Sequence, residues 1–250
     1  NLNPRYTFDS FIVGSFNELA YAASQAIIKN PGHNYNPFFI YGPTGLGKTH
    51  LIQAIGNSIK ESFPSKEIHY IPLEKFAIDY VNALRNNKPN EFKQKYRKYD
   101  VLIIDDVQFI SNKEKTQEEL FHLFNSLYEN NKQIIFSSDK HPNFIPGLED
   151  RLRSRFGSGM IVDITEPDTE SKMAIIKAKL DENGLALGED IIEYVASAIS
   201  GSVRELEGSL NMVICQIQLK KRDLNLGEVK KLIKNNIRPN KNVSIQNIVK

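Results

Sequence analysis

Residues 42–49 read GPTGLGKT, immediately after the apolar run FFIY and running on into the amphipathic stretch THLIQAIGNSIKESF. No other feature narrows the possible folds as much, because the pattern G-x-x-x-x-G-K-[ST] has meaning only between a strand and a helix. Gly42, Gly45 and Gly47 allow a loop whose backbone N–H groups turn inward around phosphate oxygens. The helix that follows presents its positive N-terminal end to the same anion. Lys48 is expected to reach the β- and γ-phosphates, and the Thr49 hydroxyl to ligate Mg²⁺. The implied ligands are ATP or ADP with Mg²⁺.

Such a loop needs a parallel sheet around it, and the flanking sequence supplies one. FFIY (38–41), EIHYI (67–71), VLII (101–104), QIIFSS (133–138) and MIVDI (160–164) are short and mostly do not alternate in polarity. That is the pattern of strands buried on both faces. Helical stretches separate them; in TQEELFHLFNSLYEN, Leu120, Phe121, Phe124, Leu127 and Tyr128 recur at helical spacing. The expectation is a three-layer α/β domain with right-handed crossovers. After Thr165-Glu166-Pro167 only helical periodicity continues, with Asn183-Gly184 as a helix stop. The predicted organisation is an α/β nucleotide-binding domain over 1–166, a small all-helical domain over 167–236, and a linker-like tail over 237–250.

Composition excludes several other classes. A net charge of +2 is too small to argue for nucleic acid by itself, so any basic surface must be local. No run approaches the roughly 18 apolar residues of a membrane span, and the N-terminus NLNPRYTFDSF lacks the build of a signal peptide. It reads as a domain cut from a longer chain. The single cysteine, Cys215, rules out internal disulfides and, within MVICQI, is expected to be a core thiol. Met160, Met173 and Met212 read as core filling. His33, His50, His69, His122 and His141 show no metal-ligand spacing.

The strand VLIIDD ends on two adjacent carboxylates, which are costly to bury unpaired. Open α/β sheets bind ligands beyond the carboxyl ends of their strands, so Asp105 is expected to hold Mg²⁺ and Asp106 to polarise an attacking water. A neighbouring strand ends on Ser137, Ser138 and Asp139, polar groups suited to sensing the γ-phosphate. EDRLRSRFGSG then offers Arg151, Arg153 and Arg155, one of them a candidate arginine finger for the next subunit's ATP. Arg204 of GSVRELEG opens a helix, where the dipole disfavours a cation, and makes more sense as a γ-phosphate ligand.

Taken in order, GPTGLGKT, IIDD, SSD, SRF and VRELEG resemble the AAA+ ATPases, and TFDSFIVG, IDDVQFISNKEKTQEELFHLFN and VRELEGSLN are similar to the DnaA family of bacterial replication initiators. The resemblance runs over essentially the whole chain. It implies a P-loop NTPase fold followed by a helical lid, with Walker A at 42–49, Walker B at Asp105-Asp106, sensor 1 at Asp139, the arginine finger at Arg155 and sensor 2 at Arg204. It adds Phe11, Ile12, Val13 and Gly14 as the adenine pocket, and Pro43, Thr44, Leu46 and His50 to the nucleotide contacts. Single-stranded DNA is expected at Val81, Lys113, Lys115 and Thr116. The segment FAIDYVNALRNNKPNEFKQKYRKYD is the initiator-type helical insert; its Lys93, Lys95, Arg97 and Lys98 otherwise read as a solvated helix face. Pro43 stands where many members carry glycine, and Lys115 where many carry arginine.

The further implications are a cytoplasmic, weak and regulatory ATPase that assembles with itself when ATP is bound. Origin duplex DNA would be read by a C-terminal domain absent from this sequence. The replicative helicase, regulatory AAA+ proteins and acidic membrane lipids complete the implied partners. Two other readings stay open. A helicase loader or adaptor of the same superfamily would lack the duplex-reading domain by nature. A metabolic P-loop kinase would need an acceptor pocket and would have no use for Arg155 or Arg204.

Overall fold

A computed structural model of the chain describes residues 2–237, and these divide into two compact units after Thr165. In the first, helix α1 (Glu18–Lys29) precedes strand β1 (Phe38–Tyr41), helix α2 (Lys48–Ser62) and strand β2 (Ile68–Pro72). Helices α3 (Leu73–Arg85) and α4 (Pro89–Arg97) lead to β3 (Val101–Asp105). A 3₁₀ turn (Val107–Ile110), α5 (Glu114–Glu129), β4 (Gln133–Ser138), a second 3₁₀ turn (Pro142–Phe144), α6 (Asp150–Phe156) and β5 (Met160–Asp163) complete it. Helix α1 is an addition to the elements expected from sequence, and the insert is a helix pair.

The five strands are parallel in the order β2-β3-β4-β1-β5. After β1 the chain crosses to the β2 edge, returns through β3 and β4, and adds β5 on the far side of β1. The carboxyl ends of β3, β4 and β1 are thereby neighbours, which is where such sheets take ligands. Every residue of VLIID and QIIFSS is buried, as expected for strands covered on both faces.

Phe39, Leu102, Ile104 and Phe136 from the sheet pack with Phe76, Phe92 and Tyr96 of the helix pair and with Leu120 and Phe124 of α5. The ring of Tyr96 lies 5.0 Å from Phe76 and 4.6 Å from Phe92. Each buried aromatic of this kind contributes about 2–3 kcal/mol, so the insert is part of the core. Asp79 of α3 accepts hydrogen bonds from Tyr96 Oη (2.9 Å) and Lys95 Nζ (3.1 Å) of α4. The basic face of α4 is largely solvated, as expected, with Lys95, Arg97 and Lys98 exposed. Lys93, half-buried, pairs with Glu119 (3.6 Å), and Lys98, just past the helix, makes a surface pair with Glu67 (3.1 Å).

The second unit contains α7 (Thr169–Glu182), α8 (Glu189–Ala198), α9 (Val203–Lys220) and α10 (Leu226–Ile237). Asp168 caps α7 by accepting from Ser171 N–H, and Ser202 caps α9 by accepting from Glu205 N–H. Gly184, at φ +63°, follows the end of α7. Ile176, Val195, Leu210, Val213 and Val229 are buried here. Cys215 is exposed, contrary to the core thiol expected. The inward positions of α9 are Leu206, Leu210, Val213, Ile214 and Ile217, and Cys215 falls on the opposite side of that stripe. Met160, Met173 and Met212 are half-buried, not core. The expected connector over 237–250 lies, after Ile237, outside the described residues.

Candidate nucleotide site and adjoining groove

The glycine loop needs its glycines. Gly42 follows β1, and a Cβ there would collide with the Ile164 carbonyl, where the chain leaves β5. Gly47 sits at φ +90° as the residue before α2, a left-handed position that glycine alone adopts cheaply. Leu46 is buried, while Pro43 and Thr44 are exposed. Lys48 is buried, and its ammonium donates to the carbonyls of Gly42 (2.6 Å) and Pro43 (2.9 Å).

Beside the loop, Asp105 ends β3 with 2% of its surface exposed. Its Oδ2 accepts from Thr49 Oγ1 and from Tyr70 Oη, both at 2.8 Å. Its Oδ1 accepts from Ser137 Oγ and from Asp106 N–H (3.1 Å). Four donors explain how a carboxylate is tolerated at that depth. Burial, followed by the adjacent Asp105 charge, pushes the Tyr70 phenol well above its ordinary pKa, so it stays a donor.

Asp106 has φ +57° and ψ +48°, a left-handed conformation uncommon for a residue with a side chain. Its carboxyl is raised above the usual range, chiefly by burial, with Asp105 and Asp139 adding repulsion against the opposing pull of Gln108 and Lys48. Gln108 bridges the acids. Its Nε2 donates to Asp106 Oδ1 (3.1 Å), and its Oε1 accepts from Asp139 N–H (3.2 Å). Among the described residues, Asp139 Oδ1 is buried without a hydrogen-bond partner. Buried acceptors are almost always paired, so this atom marks a place suited to a polar ligand. An all-oxygen set of Thr49 and Asp105 fits a hard cation such as Mg²⁺.

The N-terminal segment lies against this loop. Phe11 is buried, with its ring 5.3 Å from that of His50 and its Cε2 close to Gly47. His50 Nε2 lies 2.7 Å from the Thr7 carbonyl. Asn17, buried, donates to the Ile12 carbonyl (3.0 Å) and accepts from Gly14 N–H (2.9 Å), so it shapes the turn that carries Ile12, Val13 and Gly14. Asn17, Tyr70 and Gln108 are the residues sequence reasoning missed. FIVGSFN carried a faint signal for the first, an asparagine just before a helix; the other two were visible only through their partners.

A groove of about 620 Å³ runs between α3 and the start of α5. Val81, Lys113 and Thr116 line it together with Ile78, Asn82 and Arg85. Lys115, expected beside them, is exposed on the first turn of α5 and is not part of that lining. Arg155 is half-buried on α6, its guanidinium 5.7 Å from the Phe121 ring centre. Arg204 is exposed at the second position of α9, in the second unit.

A family model described as the bacterial DnaA ATPase domain matches residues 2–163. The chain belongs to the DnaA ATPase family. The chromosomal replication initiator protein DnaA of Geotalea uraniireducens (strain Rf4) is 50% identical over the full chain, which covers 56% of that protein. The chain thus spans little more than half the length of such DnaA relatives. Domain III of the Thermotoga maritima DnaA replication initiation protein is 40% identical with a TM-score of 0.88, covering 94% of this chain and 98% of that one. A DnaA solved with AMPPCP and single-stranded DNA is 43% identical with a TM-score of 0.81, covering 88% of this chain and 69% of that one. The fold is therefore the AAA+ type seen across DnaA domains.

Proposed function

We propose that this chain is the ATP-switched core of a bacterial replication initiator, binding Mg²⁺·ATP at the glycine loop and single-stranded DNA along the α3–α5 groove. The observation that carries this reading is the junction of Thr49, Asp105 and Ser137, brought together from α2, β3 and β4 beneath a loop that can wrap phosphates. Lys48 would turn its ammonium from the loop carbonyls to the β- and γ-phosphates. Thr49 and Asp105 would hold Mg²⁺, which supplies charge neutralisation at the phosphates. Asp106 would orient the attacking water, with Asp139 and Arg204 reporting the γ-phosphate. Phe11 to Gly14 would close over the adenine.

Hydrolysis on this reading is slow and serves as an off-switch. Arg155 would act in trans, so ATP would drive head-to-tail assembly, and a heterologous contact that does not close makes a helical filament. The AMPPCP and single-stranded DNA held by the 43%-identical DnaA support both ligands. The second unit would serve as the lid and residues 237–250 as a connector to a duplex-reading domain. A replicative helicase, regulatory AAA+ proteins and acidic lipids are the further partners of this proposal, in a bacterial cytoplasm. No described helix is long and apolar enough to cross a membrane.

Equilibrium nucleotide binding tests the core of it. Lys48→Ala should abolish Mg²⁺·ATP binding, and undiminished affinity would sink the assignment. Lys113→Ala with Lys115→Ala should lower the salt slope of single-stranded DNA binding by roughly 0.7 for each phosphate no longer neutralised. An unchanged slope would return that face to ordinary solvated surface.

A further inference from the structure

The three arginines of α6 are not equivalent. Arg151 Nε donates to Glu149 (2.6 Å). Arg153 is paired with Asp150 and donates to the Leu148 carbonyl (2.8 Å). Among the described residues, the Arg155 guanidinium makes no hydrogen bond or ion pair; its contact is with the Phe121 ring of α5, at 5.7 Å from the ring centre. The same ring carries Arg151 at 5.0 Å. Phe121 is itself partly buried and packed against the core of the first unit, so it is a fixed platform.

We infer that Phe121 is a positioning residue for Arg155, holding the guanidinium by its π face so that the N–H donors stay available to an anion on another molecule. The inference rests on the proposal that Arg155 acts in trans. A free arginine side chain loses much rotamer freedom when it docks, and prior ordering on a ring removes part of that loss from the binding step. A carboxylate partner would order the side chain too, but it would occupy the donors and neutralise the charge a phosphate needs. An aromatic ring does neither. Glu149 and Asp150, the nearest acids in sequence, are engaged by Arg151 and Arg153, which leaves Arg155, among the described residues, as the unneutralised cation of the helix.

The test is ATP-dependent assembly followed by light scattering, with ATP affinity measured separately on dilute protein. Phe121→Leu keeps apolar volume without the π face and should raise the protein concentration needed for assembly roughly two- to fivefold, the range of an exposed cation–π contact. Phe121→Tyr should restore wild-type assembly, and both variants should bind ATP normally when dilute. In an Arg155→Ala background, Phe121→Leu should add nothing. Wild-type assembly by Phe121→Leu, with Arg155→Ala impaired, would overturn the role of the ring and leave the trans arginine standing. An undiminished Phe121→Leu effect on top of Arg155→Ala would show that the ring acts through packing, and would also overturn it. Wild-type assembly by Arg155→Ala alone would remove the trans reading and this inference together.

Discussion

Tyr70→Phe deletes a single hydroxyl, and its consequence can be worked from the four donors around Asp105. The Tyr70 hydroxyl donates to Oδ2 at 2.8 Å, sharing that oxygen with Thr49, while Ser137 and Asp106 N–H hold Oδ1. A hydrogen bond to a charged group is worth about 1.5–3 kcal/mol. The lower end applies here, because Oδ2 keeps a second donor. About 1.5 kcal/mol corresponds to roughly 3–6 °C in the melting temperature of a unit this size.

Mg²⁺·ADP should shrink that difference. If Asp105 is a cation ligand, the carboxylate deprived of Tyr70 gains more from a bound cation than the wild-type group does. The Mg²⁺-dependent part of ADP affinity should then rise in the variant, by up to about tenfold if all the lost stabilisation is recovered. Calorimetry with and without Mg²⁺·ADP reads both effects. A melting temperature unchanged within a degree would refute the account of how Asp105 is held. A deficit of the same size with and without Mg²⁺·ADP would refute its role at the cation.

Two further perturbations test the charges. Asp106→Asn should stabilise the nucleotide-free protein, since burial raises the folded pKa and the ionised carboxyl opposes folding as pH climbs past it. The gain should therefore grow from acid to neutral pH while ATP turnover is lost; a melting temperature below wild type at neutral pH would contradict this. His69, half-buried and stacked on Tyr99 at 4.4 Å, has its pKa lowered from 6.5 to about 4, mainly by burial. The unfolded chain takes up that proton first, so stability should fall by about 2 kcal/mol as pH drops from 6.5 to 4. Urea midpoints of His69→Phe should lose this component, and an identical pH dependence would assign it to other groups.

What the sequence disclosed follows from how far each signal reaches. GPTGLGKT is local, and its strand and helix are its immediate neighbours, so its place in the fold was legible. Asp105 was legible too, since two acids closing an apolar run need a cation or donors. Its donor Tyr70 was not, because it stands on a separate strand and carries no motif, and Ser137 was legible as a polar strand end but not as a partner of Asp105. Gln108 looked like one more polar residue after the acids, and only the fold sets its amide between Asp106 and Asp139. Cys215 failed for a different reason. MVICQI taken alone is apolar nearly throughout and hides the inward side, whereas the stripe over the whole of α9, Leu206, Leu210, Val213, Ile214 and Ile217, sets Cys215 opposite it. On α4 the solvated reading holds for Lys95 and Arg97, and Lys93 departs from it because its partner Glu119 lies outside the segment.

The bracing around α5 bears on how ATP could act at a distance. Gln117, fully buried, donates to the carbonyls of Ile110 (3.3 Å) and Gly147 (2.8 Å) and accepts from Glu149 N–H (2.8 Å). Ile110 ends the 3₁₀ turn that starts beside Asp106, Lys113 opens α5 at the groove, and Glu149 immediately precedes α6. One amide side chain thus fixes the segments that carry the acids, the groove lysine and Arg155. A bonded network transmits a signal only where an element has two arrangements to choose between, and a buried amide with each of its polar atoms engaged favours one. ATP would then gain little by rearranging the first unit. Its effect on DNA binding would come instead from adding copies, each bringing a ready-made groove into line, with affinity rising through multivalency. On that account, single-stranded DNA should enhance ATP binding, by the reciprocity that any such linkage demands, only at protein concentrations that support assembly. Enhancement of ATP affinity by DNA at concentrations too low for assembly would instead require a switch inside the first unit.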